Sequence, residues 1–209
     1  VAEASTRDKL LDAATRLFAE RGIDNVSIAE IVRAAGQRNA SAVHYHFGNR
    51  NEVLRALLAQ HVPAVHDRRV ELLEVARSKP PSDVRAAIEA VIRPLTELAQ
   101  RGWRERAYLQ IGAELTHWLA RPETPDMVEL MEQTAGFEAW RLVRERAGTG
   151  LPTDLWNERQ EICISFIGRA AADRARRLDE DGEHPVLGDD RFVDNLIAMV
   201  LGAMTAPMR

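Results

Sequence analysis

Ala35-Gly-Gln-Arg-Asn-Ala-Ser-Ala-Val-His-Tyr-His-Phe-Gly-Asn-Arg50 decides how the rest of this chain is read. One short helix ends at Gly36, a turn follows, and a second short helix runs from about Ala40 to Phe47. Val43 and Phe47, four residues apart, point inward with Ala40, while Ser41, His44 and Tyr45 point outward. Arg38 precedes this helix and Arg50 follows it. Two short helices across a tight turn, the second with a polar outer face, form a helix-turn-helix whose second helix fits a DNA major groove.

Upstream, Leu10, Leu11, Ala14, Leu17 and Phe18 recur at helical spacing over residues 6–21, and Gly22 stops that helix. Ser27 and Glu30 form the capping box of the next helix, whose inward stripe is Ile28, Ile31, Val32 and Ala35. Downstream, Asn49 or Asn51 caps a long fourth helix reaching about Arg77, with a kink at Pro63. Lys79-Pro-Pro-Ser-Asp83 breaks the chain, and Ser82 is the next cap. Further helices are expected at about 82–101, 103–120, 124–147, 153–180 and 189–206, separated by Gly- and Pro-rich turns. No run alternates cleanly enough for a strand. The prediction is an all-α protein of about nine helices: a three-helix head over residues 1–50 and a larger helical ligand-binding and dimerisation domain over 51–209.

At 209 residues and 45% hydrophobic, the chain can bury a real core and is not expected to be disordered. No apolar run approaches the ~20 residues that span a bilayer. A soluble, cytoplasmic protein with no membrane contact is expected, and the lone Cys163 rules out an internal disulfide framework. The net charge is −4, which at first argues against nucleic acid. Its distribution differs: from Arg33 to Arg69 there are six arginines against two acids, whereas residues 61–209 carry 20 basic and 25 acidic side chains. A local positive face suffices to hold phosphates, although an unevenly charged surface arises by chance about as readily.

Residues 7–55 resemble the DNA-binding domain of the TetR family of bacterial transcriptional repressors. The resemblance is carried by Leu11-Asp-Ala-Ala14, Leu17-Phe-Ala-Glu-Arg-Gly22, Ser27-Ile-Ala-Glu-Ile-Val-Arg-Ala-Ala-Gly36 and Val43-His-Tyr-His-Phe47, in the family's order, with Gly48 to Leu54 closing the domain. It covers about a quarter of the chain. The turn departs from the family pattern: it is one residue longer, and Gln37 stands where a small apolar residue is usual. The resemblance implies that His44, Tyr45, His46 and Arg50 contact the DNA backbone and that Ser27 donates to a phosphate. From the residues themselves, Arg38 suits a guanine edge or a phosphate, Asn39 an adenine edge or a helix cap, and Ser41, His44 and Tyr45 a base edge or a flanking phosphate. Tyr45 has a competing reading as half core. His44 and His46 are two apart on a helix, so their rings diverge by about 200° and no metal site is expected.

In the larger domain, Tyr108, Ile111, Leu115 and Trp118 form one stripe, with Glu114 at its border. Trp103 opens that helix, and Thr134, Phe137 and Trp140 follow on the next. These residues build either an ordinary aromatic core or an apolar ligand pocket with a few polar anchors. The family resemblance implies the pocket, since such repressors commonly release DNA when a small ligand binds. The last two helices carry wide apolar stripes with small residues, including Phe166, Ala170, Leu196, Met199, Val200 and Ala203. Burial within one subunit competes there with a four-helix homodimer interface of the family's kind.

A homodimeric repressor on a palindromic double-stranded DNA operator, released by a small apolar or amphipathic effector, is therefore expected. No cofactor or metal is expected, and no Gly-rich phosphate loop, nucleophile elbow or Cys/His metal spacing points to an enzyme. The rivals are a ligand-independent DNA-binding co-regulator, which a pocketless core would favour, and a helical carrier or enzyme for an apolar compound.

Overall fold

The computed structural model describes residues 5–37, 41–115, 129–130, 132–148, 150–179 and 187–207, whose regular structure is helical, with no strand among them. The first helix, α1 (Thr6–Arg21), starts at Ser5, whose hydroxyl accepts from the Asp8 N–H at 3.1 Å. It ends at Gly22, whose φ of 84° lies where side chains are strained. After a 3-10 turn (Ile23–Asn25), α2 (Ile28–Ala34) opens on the Ser27–Glu30 capping box, and α3 (Ser41–His46) follows.

The expected single fourth helix is two. Here α4 (Arg50–Ala59) is capped by Asn49, whose side chain accepts from Glu52 N–H at 3.0 Å. The chain then turns at Gln60 and His61, and α5 (Val62–Ser78) begins. Pro63 sits in the first turn of α5, where its missing N–H costs nothing, so it starts a helix and does not kink one. Asp83, not Ser82, caps α6 (Val84–Leu98), accepting from Ala86 N–H at 3.0 Å.

Three of the remaining four helices keep close to their expected spans: α7 (Trp103–Leu115), α9 (Thr153–Asp179) and α10 (Asp189–Thr205). Residues 116–128, which include the predicted end of α7, lie outside the described residues. The helix expected over 124–147 is interrupted at Ala135, whose φ of 56° is left-handed, and α8 (Gly136–Ala147) starts just after it. Ten whole α-helices lie among the described residues, where about nine were expected, and residues 129–130 and 132 are helical besides; the break after α4 supplies one additional helix.

The apolar core of the head does not stop at the head. Leu10, Phe18, Ile31, Val43, Val53 and Leu57 are continuous with Tyr108, Ile111 and Leu115 of α7. Three short helices bury too little surface to stand alone, and α4 and α7 complete them. A second core joins the lower half of α5 to α6, α8, α9 and α10 around Leu73, Ile88, Val143, Trp156 and Ile197. Arg146 ties this layer together by donating to the carbonyls of Asp83 and Ala76, each at 2.7 Å.

Candidate nucleic-acid interface and ligand cavity

The capping box fixes the start of α2: Ser27 N–H donates to Glu30 at 2.9 Å, and the Ser27 hydroxyl donates to the same carboxylate at 2.7 Å. These two bonds, with Arg21 nearby, hold the Glu30 carboxyl below its ordinary value. Ser27 thus has its hydroxyl proton engaged within the protein and offers an exposed N-cap at the head surface. At the other end, Gly36 adopts φ 69°, letting Gln37 N–H reach back to Val32 carbonyl at 2.9 Å. That reversal is the turn of the helix-turn-helix.

Val43, with no exposed surface, seats α3 on the head core. Phe47 is only half-buried, with the Arg7 guanidinium 5.1 Å from its ring centre. Opposite, Tyr45 is 85% exposed, an unusual place for a large aromatic ring unless something covers it. His46 meets the Tyr45 ring edge-on at 5.0 Å. His44 Nδ1 lies 2.6 Å from the Gly48 carbonyl and, facing an acceptor, is the donor of that contact. Arg50 turns inward instead of standing free beside α3. Its Nε donates to Val26 carbonyl at 3.0 Å, and its guanidinium lies 5.5 Å from the Phe18 ring centre. Arg38 and Asn39 lie outside the described residues, as does the side chain of Ser41.

Below the head, α5, α6, α7, α8 and α9 enclose a cavity of about 350 Å³, within the size range of small-ligand sites. Tyr108, Thr134, Phe137 and Trp140 line it as the sequence suggested. Three other expected lining residues stand elsewhere. Ile111 is fully buried in the head-side core. Trp103 is stacked by the guanidinium groups of Arg16 and Arg104, 3.8 and 4.7 Å from its ring centre. Glu114 accepts from the Ile23 N–H at 2.9 Å. The reason is the register of α7: residues 108, 112 and 115 share the cavity face, while 103, 111 and 114 share the face toward the head. Arg104 adds a two-pronged pair with Asp12 of α1, at 2.8 and 2.6 Å. Trp118 lies outside the described residues.

The sequence reading missed Arg69, which lines the cavity and is 5% exposed. Its Nε donates to Ala90 carbonyl at 3.2 Å and its Nη1 to Thr134 carbonyl at 2.6 Å. Its signal was present: an arginine on the Val62, Val65, Leu72, Leu73 and Ala76 stripe of α5. Helix α9 likewise has two faces. Gln160, Ile164, Ile167 and Gly168 line the cavity, while Ile162 and Phe166 face out, 59% and 36% exposed. Of the expected dimer residues, Leu196 and Val200 are buried inside the subunit, because α10 turns that stripe onto α6. Met199 and Ala203 are exposed and Ala170 is half-buried.

His61, at the α4–α5 turn, is buried with its ring 4.7 Å from that of Tyr108. Burial pushes it below the ordinary imidazole value of 6.5; Glu105 opposes this, and Arg101 and Arg104 add to it. The unfolded chain then takes up a proton that the folded one refuses. This contribution to stability is complete above about pH 6.5 and is lost as pH falls through the lower, folded value. Thermal midpoints measured between pH 7.5 and 5.5 should fall more steeply for the parent than for His61→Gln; parallel curves would contradict the assignment.

Residues 10–57 match the sequence profile described as bacterial regulatory proteins, tetR family. Among curated proteins, the HTH-type transcriptional regulator SrpR of Pseudomonas putida is 41% identical over 54 residues, 26% of this chain and 25% of that protein. The HTH-type transcriptional regulator TtgR, also of Pseudomonas putida, is 38% identical over 53 residues, 25% of each chain. The chain thus spans about a quarter of the length of these relatives. In fold the likeness is far more extensive. A TetR-family transcriptional regulator from Bordetella parapertussis 12822 superposes with TM-score 0.64 at 19% identity, over 95% of both chains. A bacterial regulatory protein in the tetR family from Rhodococcus RHA1 does so with TM-score 0.61 at 15% identity, over 99% of this chain and 100% of that one. Residues 10–57 thus match the tetR-family regulatory domain in sequence, and the chain as a whole shares the fold of TetR-family transcriptional regulators.

Proposed function

We propose that the protein acts in the cytoplasm as a homodimeric repressor, which binds a palindromic operator and releases it when a small apolar or amphipathic ligand enters the cavity. The observation that carries the DNA reading is the outer face of α3, where an exposed Tyr45 stands on the buried seat of Val43. Tyr45, His44 and His46 would lie against the groove and its phosphates, with Ser27 at the start of α2 and with Arg38, Asn39 and Ser41 before or at the start of α3. Arg50 is better suited to bracing the head than to holding a phosphate, given its bond to Val26 and its place over Phe18.

The division into a head over 1–50 and a body over 51–209 separates DNA contact from ligand capture, with α7 as the mechanical link. Its cavity face carries Tyr108 and Gly112, and its other face carries Trp103, Arg104 and Glu114 against α1 and the 3-10 turn. A ligand that shifts α7 therefore shifts the head. Only a preference for the released state changes DNA affinity; tight binding without that preference does nothing. The cavity argues for this reading over a ligand-independent co-regulator.

Selection from random duplexes, followed by footprinting, tests the DNA reading. The protected site should hold two half-sites about 34–36 Å apart, and affinity should fall with salt by roughly 0.9 in log–log slope for each phosphate neutralised. Tyr45→Ala should weaken binding to the selected site about tenfold with an unchanged thermal midpoint, because an exposed ring contributes little to folding. Absence of any duplex binding by the parent protein would overturn the proposal.

A further inference from the structure

Arg69 is a full positive charge in the wall of the cavity, and nothing among the described residues balances it. The side chain is 5% exposed, its two hydrogen bonds go to the neutral carbonyls of Ala90 and Thr134, and it forms no ion pair among the described residues. The neighbouring Arg68, by contrast, is paired with both Glu97 and Glu71. A guanidinium has five N–H donors and stays protonated, so among the described residues two carbonyls leave donors and the charge without a counter-ion. Burial pushes its pKa down to about 10, opposed by Tyr108.

Around it the wall is apolar. Val91, Leu95, Leu109, Ile164 and Trp140 face the space, and the polar groups nearby are few. Phe137 lines the cavity while 57% exposed, which places it at the mouth. A deep cationic fork above a greasy channel matches one ligand chemistry well: a planar anion at one end of an apolar body.

We propose that the cavity binds an amphipathic organic carboxylate, with its carboxylate on the Arg69 guanidinium and its apolar body along α6, α7 and α9. This deepens the effector reading given above and rests on it only for the link to DNA release. The carboxylate would complete the donors of Arg69 and supply its counter-charge. Because Arg69 also holds the Thr134 carbonyl, just before left-handed Ala135, an anion there acts on the turn that starts α8.

The test uses the whole protein and three probes with the same ten-carbon body: decanoate, decanamide and decan-1-ol, titrated by calorimetry at pH 7.5. Decanoate should bind the parent at least tenfold more tightly than either neutral probe. In Arg69→Gln that preference should vanish, and in Arg69→Lys a fraction of it should remain. Gly112→Leu locates the site independently of Arg69, since a side chain at residue 112 meets nothing within 4 Å of its first carbon and projects into the cavity. It should fold and should abolish binding of decanoate. Equal binding of the three probes by the parent, no binding of decanoate, or a preference that survives in Arg69→Gln overturns the proposal. Should Arg69→Gln fail to fold, the parent's discrimination and the Gly112→Leu result decide. Neutral probes that release DNA while decanoate does not would sink the carboxylate and keep the effector reading. Arg69-dependent decanoate binding without DNA release would do the reverse.

Discussion

Replacing Ile162 and Phe166 together by aspartate should convert the proposed dimer to monomers and weaken operator binding by about 100- to 10,000-fold. Both side chains stand on the outer face of α9, 59% and 36% exposed, and Met199 on α10 is 50% exposed. Large apolar groups left in water on neighbouring helices mark a surface that folding of one chain does not use. The inner face of α9, with Cys163 and Ile167, is untouched by the change, so helical content should be preserved. Two heads held on one assembly act at a high effective concentration; one head alone has only its own contacts. Sedimentation analysis and gel shifts on the selected site would report both quantities. A variant that remains dimeric with parental affinity would place the interface elsewhere.

Phe18→Ala should cost about 3–5 kcal/mol of folding free energy, the loss typical of deleting a fully buried aromatic ring. Phe18 has no exposed surface and sits where α1 meets the rest of the head. Its ring also supports the Arg50 guanidinium, one nitrogen of which is buried without a hydrogen-bond partner among the described residues. Removing the ring therefore opens a cavity and loosens a buried cation together. Urea unfolding followed by circular dichroism measures the loss, and one below about 1 kcal/mol would show that the head repacks freely.

The helix-turn-helix was legible because its boundaries are written in local chemistry. Ser27 and Glu30 cap one another three residues apart, and Gly22 and Gly36 occupy backbone conformations that favour glycine. The break at Gln60 and His61 was not legible. Apolar residues continue at helical spacing from Leu57 to Val65, and Pro63 reads equally as a kink or as the first turn of a helix. Faces within α7 were harder still. Periodicity groups residues 108, 112 and 115, but only packing shows that this group meets a cavity while Glu114 reaches Ile23. The same limit separated Leu196 and Val200, which are core, from Met199 and Ala203, which are exposed. Arg69 escaped notice because arginine is ordinarily a surface residue.

Glu114 and its bond to the Ile23 backbone bear on how freely this molecule could be recombined with its kin. A chimera that grafts a relative's first fifty residues onto this body would need a backbone amide at the same height to receive that carboxylate, and an acid in place of Asp12 for Arg104. Without both, the grafted head would lose the contacts through which the proposed ligand response would reach it. Anyone building a sensor by exchanging these modules should carry over the outer face of α7 with the graft, and treat the seam as three-dimensional, not as a cut between two residues.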